Sequence, residues 1–142
     1  MDDGPENMET QGYVRLFTLE EANELLPTIT PALLELKREK EQFDQLQRTL
    51  ATMTPAMRSN GHGTIAVEYE AQIHALVTRI SAGIREIAAL GVEVKDLNQG
   101  LIDFPHWRED HVVYLCWRLG EGNIGYWHDI EAGFGGRREL EP

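Results

Sequence analysis

A chain of 142 residues, 42% apolar and 8% aromatic, has enough hydrophobic surface for one domain with one core. Its formal net charge of −11 comes with no stripe of Lys and Arg, which argues against a nucleic-acid backbone or an anionic membrane surface as partner. No apolar run has the length of a spanning helix, the N-terminus lacks an apolar signal core, and one cysteine cannot form an internal disulfide. These features predict a soluble, cytoplasmic protein with neither a nucleic-acid nor a membrane partner.

Residues 1–12, MDDGPENMETQG, read as a disordered acidic tail, and residues 13–142 as a single α+β domain, helical over 13–91 and β-rich over 92–142. Thr18 and Glu21 have the spacing of a capping box, and Phe17 could staple against Ala22. A short helix is expected over 19–26. Pro27 and Pro31 each lack an amide donor, so a break is expected between this helix and the next. A long helix should then run over 31–53, with Thr30 as its cap and an apolar face of Leu33, Leu36, Phe43, Leu46, Leu50 and Met53. The charges between Lys37 and Glu41 are read as a solvated surface. Pro55 and SNGHG make a loop, in which His62 is expected to be exposed. A second long helix over 64–90 carries the stripe Ile65, Tyr69, Ile73, Leu76, Ile80, Ile84 and Ile87. His74 beside it is expected to be partly buried, and Gly91 to be the left-handed residue after its end. The two long helices should form an antiparallel hairpin.

Beyond Gly91 the apolar period changes from that of a helix to that of a strand. VEVKDL, GLIDF, HVVYLCWRL and NIGYWHD predict a small antiparallel sheet of three or four strands between residues 92 and 129, with GFGGRRELEP irregular. Alternation puts Val113, Leu115, Trp117 and Leu119 on one face and Tyr114, Cys116 and Arg118 on the other. An even turn would pair Leu119 with Ile124, Trp117 with Tyr126, Leu115 with His128, Cys116 with Trp127 and Tyr114 with Asp129. That register is favoured for its apolar face of Leu115, Trp117 and Tyr126. A three-residue turn would instead bring Cys116 to His128.

FTLEEANELLP, GVEVKDLNQGLIDFP, LCWRLGE, YWHD and GFGGR occur in that order. Together they resemble the domain-of-unknown-function family DUF2203 over about residues 15–140. The family's closing glycine-alanine-glycine-arginine run stands here as Gly133-Phe134-Gly135-Gly136-Arg137. The resemblance implies a self-contained unit and draws attention to Lys95, Asp96, Asp103, Cys116, Trp117, Glu121, His128 and Arg137. It supplies no mechanism.

Three kinds of chemistry compete in the C-terminal part. Lys95, Asp96, Asp103, Arg118 and Arg137 are candidate ligand-binding residues, since two arginines could clamp a small anionic ligand bidentately. Cys116, Glu121 and His128 are candidate metal ligands, with Asp103 or Asp129 able to complete a mixed site, although no spacing matches a known zinc motif. Cys116 could be a nucleophile if His128 served as its base. No specific motif indicates a cofactor. The leading expectation is a binding or assembly protein with a polar site on the C-terminal sheet. The alternative is a small metal-dependent or cysteine-based enzyme using Cys116, Glu121 and His128. Because the long helices outreach a small sheet, a homodimer through the helical hairpin is expected.

Overall fold

The computed structural model describes residues 12–57, 59 and 63–141. Most of the acidic tail, residues 1–11, and His62 lie outside the described residues. The chain is α+β: two long antiparallel helices pack against a five-stranded antiparallel sheet.

Helix α1 spans Leu19–Ala51. Its start is the predicted capping box: Thr18 Oγ1 accepts from the Glu21 amide at 3.0 Å, and Glu21 Oε1 accepts from the Thr18 amide at 2.9 Å. The predicted break does not occur. Both prolines lie inside one continuous helix, and Thr30 is a helical residue instead of a cap. Pro27 and Pro31 are four apart on the exposed side, where water can reach the carbonyls left without amide partners. The opposite side carries Ala22, Leu26, Ile29, Leu33 and Leu36, all buried in the common core. Packing of that stripe offsets the missing backbone bonds. Thr30 Oγ1 meanwhile donates to the Leu26 carbonyl at 2.7 Å.

After one helical turn, α2 (Pro55–Met57), helix α3 runs over Gly63–Ala89. Gly91 follows its end with φ 95°, the left-handed conformation expected there. His74, expected to be partly buried, is exposed because it lies on the face turned away from α1. No helix among the described residues is long and apolar enough to cross a membrane.

The sheet is a meander in the order β1 (Glu93–Asp96), β2 (Leu101–Arg108), β3 (His111–Arg118), β4 (Tyr126–Asp129) and β5 (Arg138–Glu139). The C-terminal tail, expected to be irregular, forms a 3-10 turn over Phe134–Gly136 and the short β5 against β4. One sheet face carries Ile102, Phe104, Val113, Leu115, Trp117 and Trp127 into the core with the helices. Pro105 sits in an inner strand but beyond the end of β1. Its carbonyl accepts from the Phe17 amide at 2.7 Å, and His106 Nδ1 bonds the Phe17 carbonyl at 2.7 Å. The entering chain thereby caps the exposed part of β2.

Candidate functional site

The register between β3 and β4 decides the site. Tyr114 pairs with His128, Leu115 with Trp127 and Cys116 with Tyr126. The favoured even register is therefore corrected by one residue. Leu115 and Trp117 face the helices as expected, but Trp127 joins them there, and Tyr126 and His128 lie on the Cys116 face. The connection from Leu119 to Gly125 is longer than the turns considered, and one local contact and one distant in sequence hold it. Trp117 Nε1 donates to the Gly122 carbonyl at 2.7 Å, and the Ile124 amide donates to Asn23 Oδ1 of α1 at 2.8 Å. His128 thus shares the face of Cys116, as the odd-turn alternative required, but stands opposite Tyr114.

Asp103 of β2 is directly opposite Cys116 of β3. With His128 of β4, these residues place a carboxylate oxygen, Sγ and an imidazole nitrogen within 4.8 Å of one another. All three residues are buried: 1% exposed for Asp103, 0% for Cys116 and 2% for His128. His128 Nε2 lies 3.0 Å from Asp103 Oδ2, and Nδ1 lies 2.7 Å from the Asp129 carbonyl oxygen. A carbonyl can only accept, so Nδ1 carries a proton and donates it. In the second contact one proton must lie between Nε2 and Oδ2, on imidazolium or on carboxyl. Among the described residues Asp103 Oδ1 has no well-formed hydrogen-bond partner, although a weak interaction with the Cys116 thiol helps lower the carboxyl's pKa.

Burial raises the Asp103 carboxyl above its ordinary range and outweighs the opposing effects of His128 and Lys95. Burial, reinforced by the charge of Asp103, pushes the Cys116 thiol up to about 12. Such a thiol is not a ready nucleophile at neutral pH. Both His128 nitrogens are also engaged, one by Asp129 and one by Asp103, so neither is available as a base for Cys116. Tyr114 covers the cluster from one side, its ring 5.5 Å from that of His128 and its hydroxyl donating to Glu93 at 2.8 Å.

The other sequence-derived candidates separate into local roles. Asp96 receives the Asn98 amide at 2.9 Å and the Gln99 side chain at 3.1 Å, closing the turn between β1 and β2. Lys95 pairs with Glu93 at 2.8 Å and lies over the Tyr114 ring. Arg118 and Arg137 do converge, both over Phe134. The Arg137 guanidinium, however, is bidentate to Glu121 at 3.0 and 3.1 Å and stacks on Tyr126 at 3.8 Å. Burial raises the Glu121 carboxyl, but Arg137 and the Arg118 amide together hold it below its usual range. Glu121 therefore fastens the C-terminal segment and stands apart from the Asp103–Cys116–His128 cluster. Sequence reading allowed Asp103 to complete a mixed metal site with Cys116 and His128, but the register it favoured put His128 on the other face. A parity choice that buried Trp127, larger and more apolar than Tyr126 or His128, would have put His128 beside Cys116.

No match was found among curated proteins or among solved structures. The family described as "Uncharacterized conserved protein (DUF2203)" matches residues 15–140, nearly the whole chain and every element that builds the site, and the protein belongs to that family.

Proposed function

We propose that this is a binding protein, not a cysteine-based enzyme, and that its ligand site is the buried polar cluster on the sheet face turned away from the helices. The observation that carries this reading is the unpartnered Oδ1 of Asp103, 1% exposed, beside a thiol and an imidazole. A buried polar atom without a partner costs about 1–3 kcal/mol, an expense that scaffolding alone does not need. The raised thiol and the fully engaged imidazole weigh against nucleophilic chemistry.

The helical arm supports an assembly role beside the site. Ile65, Val67 and Val77 stand exposed on α3, and we read this arm as the surface on which a second copy docks. A single buried, unpaired thiol suits a reducing compartment such as the cytoplasm.

Asp103→Asn, measured by denaturant titration in excess chelator, tests the ligand-site reading. The asparagine amide can donate to His128 Nε2 and removes the buried charge, so stability should change by less than about 1 kcal/mol. If the cluster were a structural ion pair, the unpaired imidazolium would cost about 3–5 kcal/mol, and that loss would overturn the reading.

A further inference from the structure

We propose that Asp103, Cys116 and His128 bind one divalent transition-metal ion of the zinc class; this deepens the ligand-site reading above and rests on it.

The donors come from three adjacent strands, β2, β3 and β4, and their ligand atoms lie within 4.8 Å of one another. Tetrahedral zinc, with bonds of about 2.0–2.3 Å, holds its ligand atoms about 3.3–3.8 Å apart. Side-chain adjustments of about 1 Å bring the widest of these separations to that spacing. His128 is already oriented as metal-bound histidines are: Nδ1–H donates to a backbone carbonyl at 2.7 Å, which leaves Nε2 pointing at the other donors. The unpartnered Asp103 Oδ1 supplies a further oxygen, so a bidentate carboxylate or one water completes four-coordination. One nitrogen, one sulfur and a carboxylate select zinc-class ions over magnesium or calcium, which take oxygen ligands.

Charge favours a dication. Without metal the cluster holds one thiol proton and the single proton between Nε2 and Oδ2, and is neutral overall. On binding, metal–sulfur, metal–nitrogen and metal–oxygen bonds form, the S–H bond and the shared N–H or O–H bond break, and two protons leave to solvent. Thiolate, carboxylate and dication again sum to zero, so no net charge is left in a site the solvent scarcely reaches. No electron is transferred. The closed surroundings keep bulk solvent from the ion.

The test uses the full chain, reduced and stripped with chelator, then given one equivalent of Co²⁺. Expected are the near-ultraviolet thiolate-to-cobalt absorption and the visible bands of tetrahedral cobalt, both lost when one equivalent of Zn²⁺ is added. Cys116→Ser should abolish the thiolate absorption. Asp103→Asn and His128→Gln should each weaken zinc binding at least about tenfold in competition with a chromophoric chelator. Should a variant fail to fold by circular dichroism, wild-type protein still decides: zinc must slow modification of Cys116 by a small thiol reagent at least about tenfold. No cobalt–thiolate absorption, or a modification rate that zinc leaves unchanged, overturns the proposal. The metal-free Asp103→Asn titration reports separately on whether the cluster is a ligand site at all.

Discussion

The two ends of α1 belong to one helix but are packed differently. From Ala22 to Leu36 its inward residues are apolar, buried, and share a core with α3 and the sheet. At Glu39 the buried face turns polar, the carboxylate pairing with Arg79 of α3 at 3.2 Å, and from there to Ala51 no α1 residue is buried. Phe43, Leu46 and Leu50 continue the stripe but are only half covered, because the distal arm has α3 on one side and no sheet on the other. A helix of 33 residues is about 50 Å long, whereas eight-residue strands reach about 27 Å. Apolar periodicity thus marks which face turns inward, and the number of layers decides how far it is buried.

The largest expected difference separates the sheet-packed base from the arm. Trp117, 4% exposed and bonded through Nε1 to Gly122, should cost about 3–5 kcal/mol on Trp117→Ala in urea titration. Leu46→Ala on the arm should cost less than about 1.5 kcal/mol. Equal losses would break the comparison.

The next effect falls at the far end of the sheet. Glu121→Gln weakens the bidentate pair that ties Arg137 to the β3–β4 connection, and about 1–3 kcal/mol should be lost at neutral pH. The Glu121 carboxyl titrates lower in the folded chain than in the unfolded one. Its contribution is therefore fully present above the unfolded carboxylate range and is lost as pH falls through the depressed folded value. Wild type and variant should converge in acid, and a gap that persists there would remove this pair from the account.

A smaller change in stability accompanies a larger one in mass. If the arm carries a second copy, light scattering at micromolar concentration should report twice the 16.1 kDa chain mass. Leu46→Glu with Leu50→Glu should halve that value while the base stays folded. A wild-type mass of one chain would leave the arm without this role.

The smallest effect belongs to His111, exposed on β3 between Asp110 at 3.0 Å and Asp129 at 3.1 Å. Hydrogen bonds to Asp110 and then Asp129 raise its ionisation above the usual imidazole range. The benefit is present below the unfolded value and is lost as pH rises through the folded one. His111→Gln should thus differ most from wild type below the ordinary imidazole range in thermal unfolding, the difference fading as pH rises, and a difference that grows with pH would contradict the assignment.

What the sequence determined by itself was everything set by near neighbours. The Thr18–Glu21 box starts α1, the 3.6-residue stripe defines α3, Gly91 ends the helical part, and alternation puts Leu115 and Trp117 on one face with Cys116 on the other. These depend on interactions across a few residues, so the order of side chains is enough to read them. Tertiary structure decided the rest. Two prolines were tolerated because the stripe from Leu26 to Leu36 packs on α3 and the sheet, a gain that local propensity does not contain. β5 exists only by pairing with β4. The Asp103–Cys116–His128 cluster, whose members are up to 25 residues apart, depends on a register held by Asn23 reaching Ile124 and Trp117 reaching Gly122. A one-residue slip turns His128 to the other face. The connection that prevents this slip is fastened partly by its own residues, Glu121 on Arg118 and Gly122 on Trp117, and partly by Asn23 of α1, a contact the local sequence does not contain.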